Sequence, residues 1–327
     1  MKGIRITAQI GPDGLAIERM SAPSPGPQEI LVKVLATALN RADLLQSKGL
    51  YPAPAGVVPD IPGLEYAGEV VTCGDEVTRY KAGDRVMGLV AGGAFAEMLV
   101  THELEAMPIP NGMTYSDAAA IPEAFCTAWD ALFRQANVHL GDHVLVHAVG
   151  SGVGTAAVQL ARTSGVHCAG TSRTEHKLKR ARALGLELAV LCGEIPSFAA
   201  EVRRWSAGKG VEAVLDLVGG TYFSESIAAM AHQGTLMVVG LTSGVSGTLS
   251  LATVLSRRLR IQGTTMRSRL LDERIALAKA FETTVLPLFA AGTLKPVVDS
   301  VFSADQFQLG FTRLVKNASF GKIILTW

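Results

Sequence analysis

Cysteine is scarce: Cys73, Cys126, Cys168 and Cys192 are the only four in 327 residues. No two form a Cys-x-x-Cys pair, which excludes a thiolate zinc knot or a thioredoxin-like motif. They are also too sparse for the disulfide framework of a secreted domain. Excess charge of either sign is missing too, since 30 Lys+Arg against 29 Asp+Glu leave +1. A general nucleic-acid binder needs a basic surplus to displace counterions from phosphates. No run of about 18 apolar residues occurs, because Gly, Pro or charge interrupts every hydrophobic stretch, so no membrane span is expected. The first residues, Met1-Lys-Gly-Ile-Arg-Ile-Thr, alternate like a strand and lack the apolar core of a signal peptide. A cytoplasmic protein acting on a small molecule is the expectation, without nucleic-acid or membrane partners.

Apolar residues make up 48% of the chain and glycine is plentiful at 34 residues, so there is material for a core and for many turns. At about 150 residues per domain, the length predicts two domains. The first ~120 residues carry short β-branched, alternating stretches at 29–38, 65–72, 84–90 and 94–101, punctuated by Pro23-Ser-Pro25-Gly-Pro27 and Tyr51-Pro-Ala-Pro54. From 116–136, which reads as helical, the pattern changes to alternation. Strands are predicted at 143–148, 166–171, 188–191, 211–218, 234–240 and 260–265, with helices between them at 153–163, 175–184, 196–206, 221–231 and 252–258. Such alternation implies βαβ crossovers and a parallel sheet covered on both faces. A long helix at 271–291, strands at 297–302 and 321–326 and a helix at 304–316 complete the chain. The expected class is α/β, with a β-rich domain (1–122 plus 292–327) interrupted by a doubly wound domain (123–291).

One loop points to a ligand. His147-Ala-Val-Gly150-Ser151-Gly152-Val153-Gly154 leaves a predicted strand and enters a predicted helix. Small residues there let the backbone approach a pyrophosphate, and the helix N-terminus offers free N–H groups and a favourable dipole. The spacing Gly150-x-Gly152-x-Gly154 is not the usual G-x-G-x-x-G, and an ordinary glycine-rich turn would look similar alone. The βα units around it favour the dinucleotide. The next strand indicates which one. NAD sites usually end it in Asp or Glu, which binds the ribose hydroxyls. Here it ends Gly170-Thr171-Ser172-Arg173-Thr174-Glu175-His176-Lys177, and Ser172, Arg173 and Lys177 offer donors and charge to a 2′-phosphate. NADPH is the expected cofactor. A solvated basic helix face is the competing reading, because Lys179, Arg180 and Arg182 continue the run.

Further motifs stand in order along the chain: Asn40-Arg-Ala-Asp43-Leu-Leu-Gln46, Gly49-Leu-Tyr51-Pro, Pro62-Gly63-Leu64-Glu65 with Gly68 and Val70, Ala82-Gly-Asp-Arg-Val86, and Gly321-Lys-Ile-Ile-Leu. With the 147–154 loop they resemble the zinc-free branch of the medium-chain dehydrogenase/reductase superfamily. The resemblance is to the quinone oxidoreductases, and within them to the p53-inducible type. It spans essentially the whole chain and implies a GroES-like β domain with a Rossmann domain inserted into it. Zinc-dependent relatives carry Cys near the Asn40 position and His at the Leu64 position, so no metal is expected. The scattered histidines read as surface or satisfied core residues. By resemblance the nicotinamide lies in a cleft between the domains, near Asn40, Thr127, Gly240-Leu241 and Gly263-Thr264-Thr265. Ser151 lies under the pyrophosphate or the nicotinamide ribose, and Asn317 and Lys322 reach the cofactor from the outer domain. Tyr51, Asn40 and Ser151 are the expected catalytic residues.

The resemblance implies an NADPH-dependent quinone reductase, for which the protein chiefly supplies binding and orientation. The alternative is an NADPH-dependent enoyl reductase, whose α-carbon needs a proton, with Tyr51 as the donor. A non-catalytic NADPH-binding protein is a third reading. The strand at 260–265 would form a sheet edge, and such edges are usually paired or covered, which favours a homodimer across it.

Overall fold

In a computed structural model describing residues 1–327, the chain separates into two units, Met1–Cys126 with Met266–Trp327, and Thr127–Thr265. The first begins with an antiparallel pair, β1 (Lys2–Ile6) and β2 (Leu15–Arg19), joined through a turn at Pro12–Gly14. β3 (Glu29–Leu39) is eleven residues long, and its Ile30, Val32 and Val34 are fully buried. α1 (Arg41–Ser47), β4 (Glu65–Cys73), β5 (Arg85–Leu89), β6 (Met98–His102) and β7 (Ala106–Pro108) follow, then the short helix α2 (Tyr115–Ala118). The sequence reads 116–136 as one helix, but the structure interrupts it. α3 starts at Pro122, a residue that lacks the N–H a continuing helix needs, and runs to Trp129. Asp130–Gln135 then widens into a π-helical stretch, in which the Ala136 N–H bonds the Ala131 carbonyl at 3.0 Å.

The second unit holds β8 (His143–Val146), α4 (Gly152–Thr163), β9 (His167–Ser172), α5 (Glu175–Leu184), β10 (Leu188–Leu191), α6 (Ala199–Trp205), β11 (Val211–Asp216), α7 (Phe223–Ala229), β12 (Met230–Val238), α8 (Leu251–Arg257) and β13 (Arg260–Gly263). Its six strands are parallel in the order β10-β9-β8-β11-β12-β13, which is the doubly wound 3-2-1-4-5-6 arrangement. The sheet is buried on both faces. Leu145, Val214 and Leu236 pack with Phe198, Val202 and Ile227, while α4 buries Ala156, Ala157, Leu160 and Ala161. β8 and β11 are neighbours whose crossovers leave in opposite directions, so their carboxyl ends form the switch point where doubly wound sheets take ligands.

The chain returns to the first unit through α9 (Leu271–Thr284), α10 (Leu286–Ala290), β14 (Val298–Ser303), α11 (Phe307–Val315) and β15 (Lys322–Thr326). Its large sheet runs β14-β15-β3-β4-β5-β7, with β6 also on β3. The boundary expected at 291 falls at 265. The physical reason lies in α9 and α10, which bury Leu277, Phe281 and Phe289 within the first unit. There Arg274 Nε donates to Glu105 at 2.5 Å, Arg79 pairs with Glu282, and Phe289 meets Phe125 edge-on at 4.8 Å.

Candidate functional site

In the second unit, the chain leaves β8 through buried His147 and turns at Ala148, whose φ is +51°. Ser151 then caps α4, its Oγ accepting the Gly154 N–H at 3.0 Å. By helix geometry the N–H groups of Gly152 and Val153 have no intrahelical acceptor, so this end can meet an anion. One glycine is sterically required: a Cβ on Gly154 would lie 2.5 Å from the Ala148 carbonyl oxygen. A Cβ on Gly150 would lie 2.6 Å from Cδ of Lys177, a flexible side chain that can move aside. The second distance matters for recognition. It brings the stem of half-buried Lys177, on α5, against the phosphate loop after β8.

β9 ends at buried Ser172, whose Oγ accepts the Thr174 N–H at 3.2 Å, and Arg173 beyond it is exposed. No carboxylate terminates the strand. Of the residues read from the sequence, the structure brings Lys177 against Gly150 of the loop, while Ser172 ends the neighbouring strand and Arg173 is exposed. Gly240 follows β12, and its N–H bonds the Asp216 carbonyl at 3.1 Å, with Leu241 half exposed beside it. Gly263-Thr264-Thr265 lies past the sheet edge, where Gln135 Nε2 donates to Thr264 Oγ1 at 2.9 Å.

Two buried oxygens fit a polar ligand. Thr127 is 4% exposed, yet its Oγ1 has no partner in the protein. Asp216, fully buried at the carboxyl end of β11, accepts the Val218 and Gly219 N–H groups with Oδ1 and leaves Oδ2 without a partner. Unsatisfied buried polar atoms are few in native proteins, and a bound ligand is one explanation for them. The residues thus fit a dinucleotide. Thr127 is among the positions that the family resemblance implies. Asp216 was missed, and its only signal is an acid at the end of a strand.

His147 behaves as the satisfied core histidine that the sequence suggests. Its ring nitrogens lie 3.0 Å from Thr171 Oγ1 and 2.8 Å from Ser226 Oγ, and burial pushes its pKa down to about 4.

In the first unit, Asn40 caps α1 in a reciprocal box with Asp43. Its side chain is already engaged. Nδ2 donates to Glu65 Oε1 at 2.8 Å and the Ala38 carbonyl at 3.2 Å, while Oδ1 accepts from Lys322 Nζ at 2.5 Å. Both amide hydrogens are therefore occupied, and Oδ1 is engaged by the Lys322 ammonium. Lys322, expected to reach the cofactor, is 5% exposed and forms a buried ion pair with Glu65 at 2.6 Å. Glu65 Oε2 also accepts the Glu123 N–H at 2.8 Å. Asp43 accepts the Asn40 and Gly63 N–H groups. Burial nonetheless raises its pKa to about 7, those bonds and Lys322 pulling it back. Asn317 also lies in this unit, and its Oδ1 accepts from Arg41 Nη2 at 2.5 Å.

Tyr51 is half-buried. Burial raises its phenol pKa, as does the Glu123 charge, against the opposite influence of Arg267, so the hydroxyl stays protonated at neutral pH. Arg267, which the sequence reading passed over, lies against it. Nothing in Met266-Arg267-Ser268-Arg269 distinguishes that residue from a solvated arginine.

A zinc site does not fit. The positions equivalent to the ligands of zinc relatives are Asn40 and Leu64, and no group of three or more His, Cys, Asp and Glu is placed to hold a metal ion.

Residues 26–111 match the family described as alcohol dehydrogenase GroES-like domain, and 152–286 the family described as zinc-binding dehydrogenase. The chain is 30% identical to the mouse synaptic vesicle membrane protein VAT-1 homolog-like, over 99% of this chain and 81% of that protein. Among solved structures, an NAD-dependent alcohol dehydrogenase is 33% identical with a TM-score of 0.89, and all of both chains is covered. The quinone oxidoreductase of Pseudomonas syringae pv. Tomato DC3000 is 28% identical with a TM-score of 0.90, covering 100% of this chain and 99% of that one.

Proposed function

The chain belongs to the medium-chain dehydrogenase/reductase superfamily, of the quinone oxidoreductase type, and from that premise we propose that it reduces quinones with NADPH. It works without zinc on quinones or similarly activated carbonyl compounds, and stands with the p53-inducible branch. One observation carries the cofactor reading. The stem of Lys177 lies on Gly150 of the phosphate loop, beside a second strand that ends in Ser172 rather than an acid. That combination suits a 2′-phosphate, with Arg173 adding charge from the rim.

When bound, NADPH supplies the hydride. Gly150, Ser151, Gly152, Val153 and Gly154 would hold its pyrophosphate, with Thr127, Gly240, Leu241, Gly263, Thr264, Thr265 and Asn317 as the further candidate cofactor residues. Quinones accept hydride readily and their reduced oxygens collect protons from water, so the residues need only bind and orient the acceptor. Tyr51 orients it through the hydroxyl, with Asn40 and Ser151 as the other residues of the reacting region. One observation favours an enoyl reductase instead: the Tyr51 hydroxyl makes no hydrogen bond within its unit and remains protonated, as a proton donor should. NADPH oxidation measured with a naphthoquinone and with a short enoyl thioester, under identical conditions, separates the two. Turnover of the quinone well above 1 s⁻¹, inside the usual enzyme range of about 1–10³ s⁻¹, also excludes a purely structural protein. Preferred turnover of the thioester overturns the quinone reading.

The same reading includes a cytoplasmic homodimer. All four residues of β13 are exposed at the sheet edge, and α8 buries none of its residues, leaving Leu251 and Leu255 76% and 81% exposed. An open edge beside exposed leucines suits a second copy of the chain. The four cysteines are all free, in keeping with a reducing compartment. Sedimentation at micromolar concentration tests the dimer, and a monomer there refutes it.

A further inference from the structure

Between the end of α1 at Ser47 and the start of β4 at Glu65 the chain has neither helix nor strand, yet Tyr51 sits in this stretch. One buried cation holds it. Arg267 is 3% exposed, and no acidic side chain forms an ion pair with it. Its Nε donates to the Ala91 carbonyl at 2.6 Å, Nη1 to the Tyr51 carbonyl at 2.9 Å and Nη2 to Gln46 Oε1 at 2.9 Å. The guanidinium carbon also lies 5.2 Å from the centroid of the Tyr51 ring. Gln46 extends the clamp, since its Nε2 donates to the Pro59 carbonyl at 3.0 Å. A single side chain thereby ties 46, 51 and, through Gln46, 59 to the strand-flanking backbone at 91.

Burying an unpaired guanidinium is costly, and a hydrophobic residue would fill the space at less cost. What the arginine adds is geometry. Three acceptors in three directions match a rigid planar fork, which the single ammonium of a lysine cannot reproduce. Pro52 and Pro54 keep the neighbouring backbone extended, so fixing the Tyr51 carbonyl and ring also fixes where the hydroxyl points.

We propose that Arg267 is the positioning residue of the acceptor site, holding the Tyr51 hydroxyl in place by clamping the 46–59 segment. This rests on the reading of Tyr51 as the residue that meets the acceptor. Arg267 touches no reacting atom and acts through Tyr51.

The experiment compares Arg267→Lys with the parent, each also in a Tyr51→Phe background, by amide hydrogen exchange and by kinetics with NADPH and a naphthoquinone. Leu50 and Val57, whose N–H groups bond the Leu45 and Pro54 carbonyls, report the segment. Their exchange is expected to accelerate at least about tenfold while β4 stays protected. The acceptor kcat/KM should fall about tenfold with NADPH affinity unchanged, and the fall should shrink below about twofold once the Tyr51 hydroxyl is gone. Unaltered exchange overturns the clamp. Equal kinetic losses in both backgrounds overturn action through the hydroxyl and leave only a structural role. If exchange accelerates but Tyr51→Phe alone is silent with quinone and thioester, the clamp stands and the reading of Tyr51 falls. Gln46→Met breaks one arm without touching the cation. It should give the same pattern at smaller size should Arg267→Lys fail to fold.

Discussion

Replacing Lys177 by Met removes a charge while keeping a stem of similar length against Gly150, which separates recognition from packing. A shielded charge-assisted hydrogen bond is worth roughly 1.5–3 kcal/mol, or about ten- to a hundredfold in affinity. Lys177 is half-buried, so partial exposure to water places the expected loss at the lower end, about tenfold for NADPH. NADH lacks the 2′-phosphate, and its affinity should change by less than about twofold. Lys177→Ala also removes the stem from the phosphate loop, so it should weaken both cofactors slightly beyond the Met variant. Arg173, which is exposed, should matter less, with Arg173→Ala costing under about fivefold. Calorimetric titration of both cofactors at two salt concentrations reads all of this, and the NADPH preference should narrow at high salt. Equal losses of NADPH and NADH affinity in Lys177→Met would refute the reasoning, because a lost charge can discriminate only where the phosphate is present.

Activity should survive exhaustive chelation in full, and stoichiometric zinc lost together with activity would contradict the donor set described above. Tyr51→Phe should cost a quinone reductase no more than about tenfold, since one orienting hydrogen bond contributes roughly 0.5–1.5 kcal/mol; a loss of about 10²–10⁴ in kcat would instead mark a proton donor. His147 is held neutral, with a folded pKa of about 4 against an ordinary 6.5, so the unfolded chain takes up its proton first as pH falls. Its contribution is therefore complete above about pH 6.5 and is lost on the way to about pH 4, by at most about 3 kcal/mol. Asp43, whose raised pKa makes stability fall as pH rises from about 4 to 7, gives the opposite slope. The telling quantity is the difference between parent and His147→Gln in urea unfolding across this range, and parallel curves would dismiss the effect. Lys322→Met leaves Glu65 fully buried without a counter-charge and should cost about 3–5 kcal/mol, largely recovered by adding Glu65→Gln. Additive losses in the double variant would show that the pair is not coupled.

Much of this architecture is legible from periodicity. The six alternating βα units place the strands of the parallel sheet to within a few residues, because buried strands and amphipathic helices carry different apolar spacings. The phosphate loop is legible because Gly154 is demanded by close approach of the Ala148 and Val149 backbone, a local matter. Long-range partnerships are not. Nothing near α9 and α10 tells that Arg274 and Phe289 meet Glu105 and Phe125 of the first unit, so the domain boundary at 265 was invisible. Asn40 was legible as a special position, but its partner Lys322 lies 282 residues away, and only the fold shows that the amide is already occupied. Arg267 escaped notice because its meaning lies wholly in three acceptors from distant segments.

The position of β15 bears on how the protein is made. This strand, 322–326, is not an edge but lies between β14 and β3, pairing with both. Until those residues have left the ribosome, the Ala36–Leu39 end of β3 has no partner on that side, because β6 covers only Glu29–Lys33 there, and the sheet of the first unit stays open. The second unit, by contrast, is one continuous stretch from 127 to 265. It can complete its own sheet once residue 265 has left the ribosome, before β15 has followed. Synthesis therefore exposes a half-built β domain for the time needed to add about 60 residues, some 3–12 s at ordinary elongation rates. Its unpaired β3 edge is the surface most open to wrong pairing in that interval. A chain stalled before residue 322 should carry a protease-resistant 127–265 core and a first unit that is readily cut.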